Sequence, residues 1–272
     1  MRIDRDNRVV FWRQSSFNTF TQCPERLRSK PDVEIPTDAA ALGTALHAAI
    51  EADLAPSPIS VEQVFSEAHE ALECEWGQGV RMVQNDFGAS LTVLQNCLRA
   101  WIDHPIRAQL RHSAESNRLA IESSFERPVG SVRHQGEHWE VYIEGRIDAV
   151  ESGGTPTVWD WKTSSRRYEE WEHQRWAKQP TFYTYATGIN AFHYLVFMKR
   201  MTKDVGVQVV PVTRDRKHWS WLEVQLQLAT QYVLANDAIS PWITRDDSAL
   251  CSPKWCHNWD ECKGRYLGPD AW

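Results

Sequence analysis

A chain of 272 residues, 42% hydrophobic and 24% charged with a formal charge of −6, is long enough to bury a substantial core. That balance excludes a generally basic nucleic-acid-coating protein, whose domain pI exceeds about 9, so any nucleic acid would have to be met by a local groove. The opening Met1-Arg2-Ile3-Asp4-Arg5-Asp6 lacks a secretory apolar run, and no apolar segment is long enough to cross a bilayer; the expectation is a cytoplasmic protein with no membrane partner.

In chain order, apolar periodicity predicts helices over 42–54, 60–76 and 88–110, with breaks at Pro56, Gly77 and Gly79. Three strands are predicted at 118–127, 138–151 and 157–163. A helix starting between 168 and 180 and ending near Gly188 then precedes strands at 191–199 and 205–212. A long helix covers 216–237, with Trp221, Val224, Leu228 and Leu234 among its apolar positions. The expected class is α/β, in the order α-β-β-β-α-β. Three parts are expected: a helical section at 1–115, a core at 116–240, and a cysteine-rich segment at 241–272 packing back on the N-terminus.

The second and third strands carry the chemistry. Val141, Ile143, Gly145, Ile147 and Ala149 share one parity, which leaves Glu144, Arg146 and Asp148 on the other. In the next strand Asp160 and Lys162 are two residues apart and share a face, while Trp159 and Trp161 take the opposite, core-facing parity. The intervening Ser152-Gly153-Gly154-Thr155-Pro156 suits a chain reversal, and a regular hairpin brings Asp148 towards Asp160. Two carboxylates and a lysine are the equipment for phosphodiester hydrolysis assisted by Mg²⁺ or Mn²⁺, hard cations that prefer oxygen ligands. The same residues also suit a surface hairpin with exposed ion pairs.

Gly145-Arg146-Ile147-Asp148 followed by Asp160-Trp161-Lys162-Thr163-Ser164 resembles two motifs of the PD-(D/E)XK nuclease superfamily, in its RecB-like exonuclease branch. Three more segments resemble that branch in order: Ser15 through Cys23-Pro24, the Gly43 to His47 helix, and the Gln179/Tyr183 pair. The resemblance spans about 15 to 262 and implies a restriction-endonuclease-like core, a mixed central sheet flanked by helices. It implies Asp148, Asp160, His47 and the Trp161 carbonyl as metal ligands, Lys162 as the catalytic lysine, and Gln179 and Tyr183 as residues lining the site. Pro180 restricts the helix start to the neighbourhood of Gln179. Glu122 is read either as an additional carboxylate of the site or as an exposed strand residue.

Cys23 with Cys251, Cys256 and Cys262 resembles the one-plus-three cysteine set of the iron-sulfur members of this branch, the AddB-type and CRISPR-associated nucleases. A [4Fe-4S] cluster stapling the chain ends is the implied cofactor. The four residues between Cys251 and Cys256 depart from the usual two, and zinc is the alternative, with His257 adjoining. Cys74 and Cys97 fall in helical stretches, as core or boundary residues.

The expected partner is DNA, single-stranded or with free ends, together with a helicase or recombination protein. No Walker-type phosphate loop occurs, so unwinding would come from another chain. Arg166, Arg167, Arg175 and Lys178 are the candidate phosphate contacts, with Arg26, Arg28 and Lys30 as a second basic group. Trp171 and Trp176 lie among the first group, available either to stack on bases or to anchor in the core. The sequence therefore reads as a metal-dependent DNA exonuclease of recombination, repair or phage replication. The alternative is a catalytically silent DNA-binding or scaffold subunit of a recombination or CRISPR-adaptation complex.

Overall fold

The computed structural model describes residues 1–30, 35–57, 59–202, 205–239, 242–244, 250–253 and 255–267, so part of the 241–272 segment lies outside the described residues. Its elements are β1 (Arg2–Asp4), β2 (Val9–Trp12), α1 (Gln14–Gln22), α2 (Pro24–Arg28), α3 (Asp38–Leu54), α4 (Val61–Gly77), α5 (Phe87–Asp103) and α6 (Pro105–Glu115). They continue as β3 (Leu119–His134), β4 (Glu137–Glu151), β5 (Thr157–Ser164), α7 (Glu170–Trp176), α8 (Gln179–Thr187), β6 (Ala191–Met198), β7 (Val207–Thr213), α9 (Arg216–Asn236) and α10 (Gly264–Leu267). The chain is mixed α/β with a mixed sheet flanked by helices, and the expected α-β-β-β-α-β order runs from α3 through β6.

Two differences from the sequence reading stand out. The helix expected over 88–110 is two helices, because Pro105 can only open a new helix after His104 adopts an extended conformation. The short strands β1 and β2 were not anticipated, being too brief for alternation to reveal.

The chain forms two compact units. One comprises Met1–Val33, Phe125–Gly145 and Arg216–Trp272. Here β2 runs antiparallel to β1 and parallel to β4, from the Val9–Glu140 pair to the Trp12–Ile143 pair. Trp12 is fully buried, donates to the Thr230 hydroxyl at 2.8 Å and meets Phe17 and Phe20 edge-on. Gly145 permits a close approach: a Cβ there would stand 2.8 Å from the ring of Phe125. The helix α9 buries Leu222, Leu226, Ala229, Thr230, Val233 and Leu234, whereas Trp221, Val224 and Leu228 face solvent. Both stripes have helical spacing, so periodicity could not tell which one meets the core.

The other unit comprises Glu34–Ser124 and Arg146–Asp215. Its central strand β5 pairs antiparallel with β4 and parallel with β6 along its full length, and β6 pairs antiparallel with β7. Residues Thr157 to Trp161 are buried on both faces, as a central strand requires. The parallel β5–β6 pairing needs a crossover, which α7 and α8 supply. The hairpin between β4 and β5 turns on Gly153 and Gly154, with φ of +105° and +59°. Asp53, buried in α3, ties the helical layer together. It accepts from Trp101 of α5 at 2.9 Å and from Arg107 and Arg111 of α6 at 2.8–2.9 Å.

Candidate active site

The β4–β5 register pairs Ala149 with Trp159, and its next step sets Asp148 opposite Asp160. The parity anticipated from sequence holds: Trp159 and Trp161 pack in the core, and the two aspartates occupy the other face. Asp148 Oδ2 accepts from the Trp161 amide at 2.7 Å, which fixes that carboxylate against β5. Asp160 is clasped from two directions, by an ion pair with Lys162 Nζ and by the Gln179 side-chain amide at 2.6 Å. The helix α8 begins at Gln179 with proline in its first turn, as the sequence indicated, and the Gln179 side chain is directed to Asp160. Tyr183, one turn later, takes a 3.3 Å contact from the same amide nitrogen.

His47 reaches this group from α3. Its Nε2 lies 2.8 Å from the Trp161 carbonyl, and its Nδ1 lies 3.5 Å from Asp148 Oδ2. With Nε2–H donating to the carbonyl, Nδ1 turns a lone pair towards a carboxylate oxygen. Two electron-rich atoms in that relation are stabilised by a cation between them, and donation of the second imidazole nitrogen to a carbonyl is the usual support of a metal-ligating histidine. Burial, seconded by the Lys162 charge, lowers the His47 pKa and keeps the ring neutral.

Glu122 completes the group. Ligand atoms of His47, Glu122 and Asp148 lie within 4.8 Å of one another, the spacing a divalent cation needs. Glu122 sits at φ +51°, a left-handed conformation costly for a residue with a Cβ, near the start of β3. Its carboxylate pairs with the Arg146 guanidinium. Of the two sequence readings of Glu122, the structure places it with the site rather than on an exposed face.

One member had no place in the sequence reading. Glu51, one turn beyond His47 on α3, shares a hydrogen bond with Glu122, and burial with that neighbour pushes its pKa up to about 8. The signal was present as the four-residue offset between His47 and Glu51, but such offsets are common on helices. Burial also pushes Asp148 and Asp160 up to about 6, against the opposing pull of Lys162. Lys162 itself is held well above the usual range by the two aspartates and stays charged.

The basic residues beyond β5 are more dispersed. Arg166 and Arg167 are exposed, with Arg166 4.0 Å from Glu172, and Arg175 lies over the Trp176 ring at 4.7 Å. Lys178 is the residue preceding α8. Trp171 and Trp176 are 61% and 64% exposed, so core anchoring is not their role.

In the first unit, Cys23, Cys251, Cys256 and Cys262 line one pocket together with Glu25, Asn258 and Trp259. None of the four is joined in a disulfide, and burial raises the Cys262 pKa, with Cys23 and Cys251 adding to the effect. Glu25 organises the pocket by accepting from Arg28, the Trp242 amide at 2.7 Å and Asn258 at 3.2 Å. Among the described residues, no three of these sulfurs converge within 4.8 Å as the His47 group does. Cys97 is buried and Cys74 exposed.

A mixed sheet that presents two buried acids and a lysine on its central strands, beside a histidine–carboxylate group that could hold a cation, supports a hydrolytic nuclease. The chain belongs to the PD-(D/E)XK nuclease superfamily, whose family model matches residues 12–263. Among solved structures, one called "Putative exonuclease" from Eubacterium rectale is similar over 92% of each chain at 10% identity, with a TM-score of 0.51, a likeness of fold. The structure of SSO0001 covers 88% of each chain at 12% identity with a TM-score of 0.31. No curated protein matches the sequence. Among the described residues, no helix is long and apolar enough to cross a membrane.

Proposed function

We propose that the protein is a Mg²⁺- or Mn²⁺-dependent deoxyribonuclease that shortens DNA from ends or along single strands, in recombination, repair or phage replication. The observation carrying this reading is the convergence of His47, Glu122 and Asp148 beside an Asp160 clasped by Lys162 and Gln179. His47, Asp148 and Asp160 would hold the cation, with Glu122 as an additional carboxylate. The Trp161 carbonyl, which meets His47 Nε2 at 2.8 Å and Lys162 Nζ at 3.4 Å, is the proposed further oxygen ligand. A divalent ion there supplies Lewis acidity and lowers the pKa of an attacking water. The chain's own contribution is positional. Lys162 stays charged and is aimed by Asp160, so it orients the water and stabilises charge developing on the phosphate. Gln179 holds Asp160, the Tyr183 hydroxyl meets the same Gln179 amide, and both would line the phosphate's seat. Arg166, Arg167, Arg175 and Lys178 are the proposed backbone contacts.

The shared pocket of Cys23, Cys251, Cys256 and Cys262 is the proposed seat of a [4Fe-4S] cluster, with zinc as the alternative. Such a cluster would act as a structural clip between Cys23 and the C-terminal segment. A helicase or recombination protein is the partner that fits a nuclease lacking its own phosphate-binding loop.

The test is digestion of end-labelled single- and double-stranded DNA with Mg²⁺, Mn²⁺ or chelator, by wild type and by Asp160→Asn and Lys162→Ala. Cation-dependent shortening by wild type alone is expected. Binding without shortening, or equal cleavage by the variants, overturns the reading.

A further inference from the structure

We propose that Trp171, Arg175 and Trp176 form a base-stacking platform that grips unpaired nucleotides next to the cleavage site. The inference rests on the nuclease reading and specifies the form of its substrate, a strand whose bases are free.

The helix α7 is unusual in having no buried residue, yet it is held firmly. Arg214, only 2% exposed, donates through Nη2 to the carbonyls of His173 at 3.1 Å and Ala177 at 2.9 Å. The Gln174 side chain exchanges two hydrogen bonds with the Thr213 backbone, at 3.0 and 3.1 Å. His173 stacks on Tyr168 with ring centres 4.0 Å apart and planes inclined by 13°. Polar anchors thus replace apolar burial, and the two indoles remain outside them. Tryptophan is highly buried on average, so two outward rings on one seven-residue helix call for an occupant. A rigid frame presenting aromatic faces loses little entropy on binding.

The position of the helix relates it to the chemistry. It lies between the strand that ends beyond Lys162 and the helix that starts at Gln179. Tyr168, on which His173 stacks, meets the Tyr194 ring edge-on at 5.6 Å, and Tyr194 is the β6 partner of Asp160. The Tyr168 backbone is clasped by Gln208 through bonds of 2.8 and 3.0 Å, so the link from catalytic strand to platform is itself fixed.

Charge decides which part of the nucleotide is held. Arg166, Arg167, Arg175 and Lys178 stand against Glu169, Glu170 and Glu172, four cations to three acids. So small an excess lets these cations supply only part of the grip on a phosphate backbone, whereas stacking on a base needs no net charge. Trp171 and Arg175 are one turn apart, and the Arg175 guanidinium already lies over the Trp176 ring, which adds a cationic component beside the two exposed indoles. In a duplex the base faces are occupied by their neighbours, which confines this grip to unpaired strands.

The test compares a short oligothymidylate with an abasic strand of equal length, binding measured by anisotropy in chelator with the full chain. Wild type should favour the base-bearing strand by at least about tenfold. The Trp171→Ala/Trp176→Ala variant should lose that preference with an unchanged salt slope and thermal midpoint, and Trp171→Phe/Trp176→Phe should keep most of it. Equal wild-type affinity for the two strands, or a preference that survives the double alanine variant, overturns the platform. Because binding is read without cleavage, absence of Mn²⁺-dependent hydrolysis counts against the nuclease reading alone.

Discussion

The Gln179 side-chain amide donates to Asp160 Oδ1 at 2.6 Å while Lys162 pairs with the other oxygen of the same carboxylate. An acid held from both sides has one orientation, and that orientation sets where Lys162 points. Replacing Gln179 with leucine removes a hydrogen bond to a charged group, worth about 1.5–3 kcal/mol, and so should lower kcat by roughly 10- to 100-fold. Steady-state cleavage assays would show this as a loss in kcat with KM little changed. A loss confined to KM would instead make Gln179 a substrate contact.

Cation binding should be steeply dependent on pH. Asp148 and Asp160 are both pushed up to about 6, and both must be ionised to serve a cation, so Mn²⁺ affinity should climb as pH rises through that value. While both are protonated the affinity should fall by up to about a hundredfold per pH unit. Without divalent ions the stability runs the other way. Raised carboxyl pKa values favour the protonated folded state, so the stability these groups contribute is present below about 4 and lost as pH rises through about 6. His47, with a lowered pKa, opposes this by losing stability as pH falls below its ordinary value of 6.5. Urea midpoints in chelator should therefore separate wild type from Asp148→Asn/Asp160→Asn, with the variant gaining more at about pH 7 than at about pH 5.

Glu122 combines an unfavourable backbone with a place at the cation site. A glycine there relieves a strain of about 1 kcal/mol or more but removes the carboxylate. Glu122→Gly is expected to leave the chelator-treated protein at least as stable and to weaken Mn²⁺ binding by about tenfold or more, measured by calorimetry. Unchanged affinity would return Glu122 to a purely structural role.

Asp53 offers the contrasting case of a buried acid away from the cation site. Asp53→Ala would strand Arg107, Arg111 and the Trp101 indole, and should cost about 3–5 kcal/mol in urea unfolding. Below the unfolding transition its kcat should match wild type, because no contact of Asp53 reaches the site.

Anaerobic preparation should yield iron and sulfide in equal amounts, and Cys262→Ser should remove both together with a share of thermal stability. Stoichiometric zinc without iron would replace the cluster by a single-ion site.

Much of this arrangement was legible because it depends on short-range rules. Alternation in β4 and β5 told which residues share a face, a Gly-Gly turn supplied the reversal, and together they set Asp148 opposite Asp160. Proline told where α8 starts, and with it the level of Gln179. The same rule was available at Pro105 and was outweighed by the apolar period on either side, which is why one helix was expected where α5 and α6 stand.

By itself, then, the sequence determined the five longer strands, the faces of β4 and β5 and the residues within two or four positions of one another, since backbone geometry enforces those relations locally. Only tertiary structure decided that Glu51 and Glu122 meet beside Asp148, that α9 buries Leu222 and Leu226 while exposing Trp221, and that Arg214 pins the helix carrying Trp171. Those pairings join distant parts of the chain, and their energies come from burial and charge that exist only after the layers have closed.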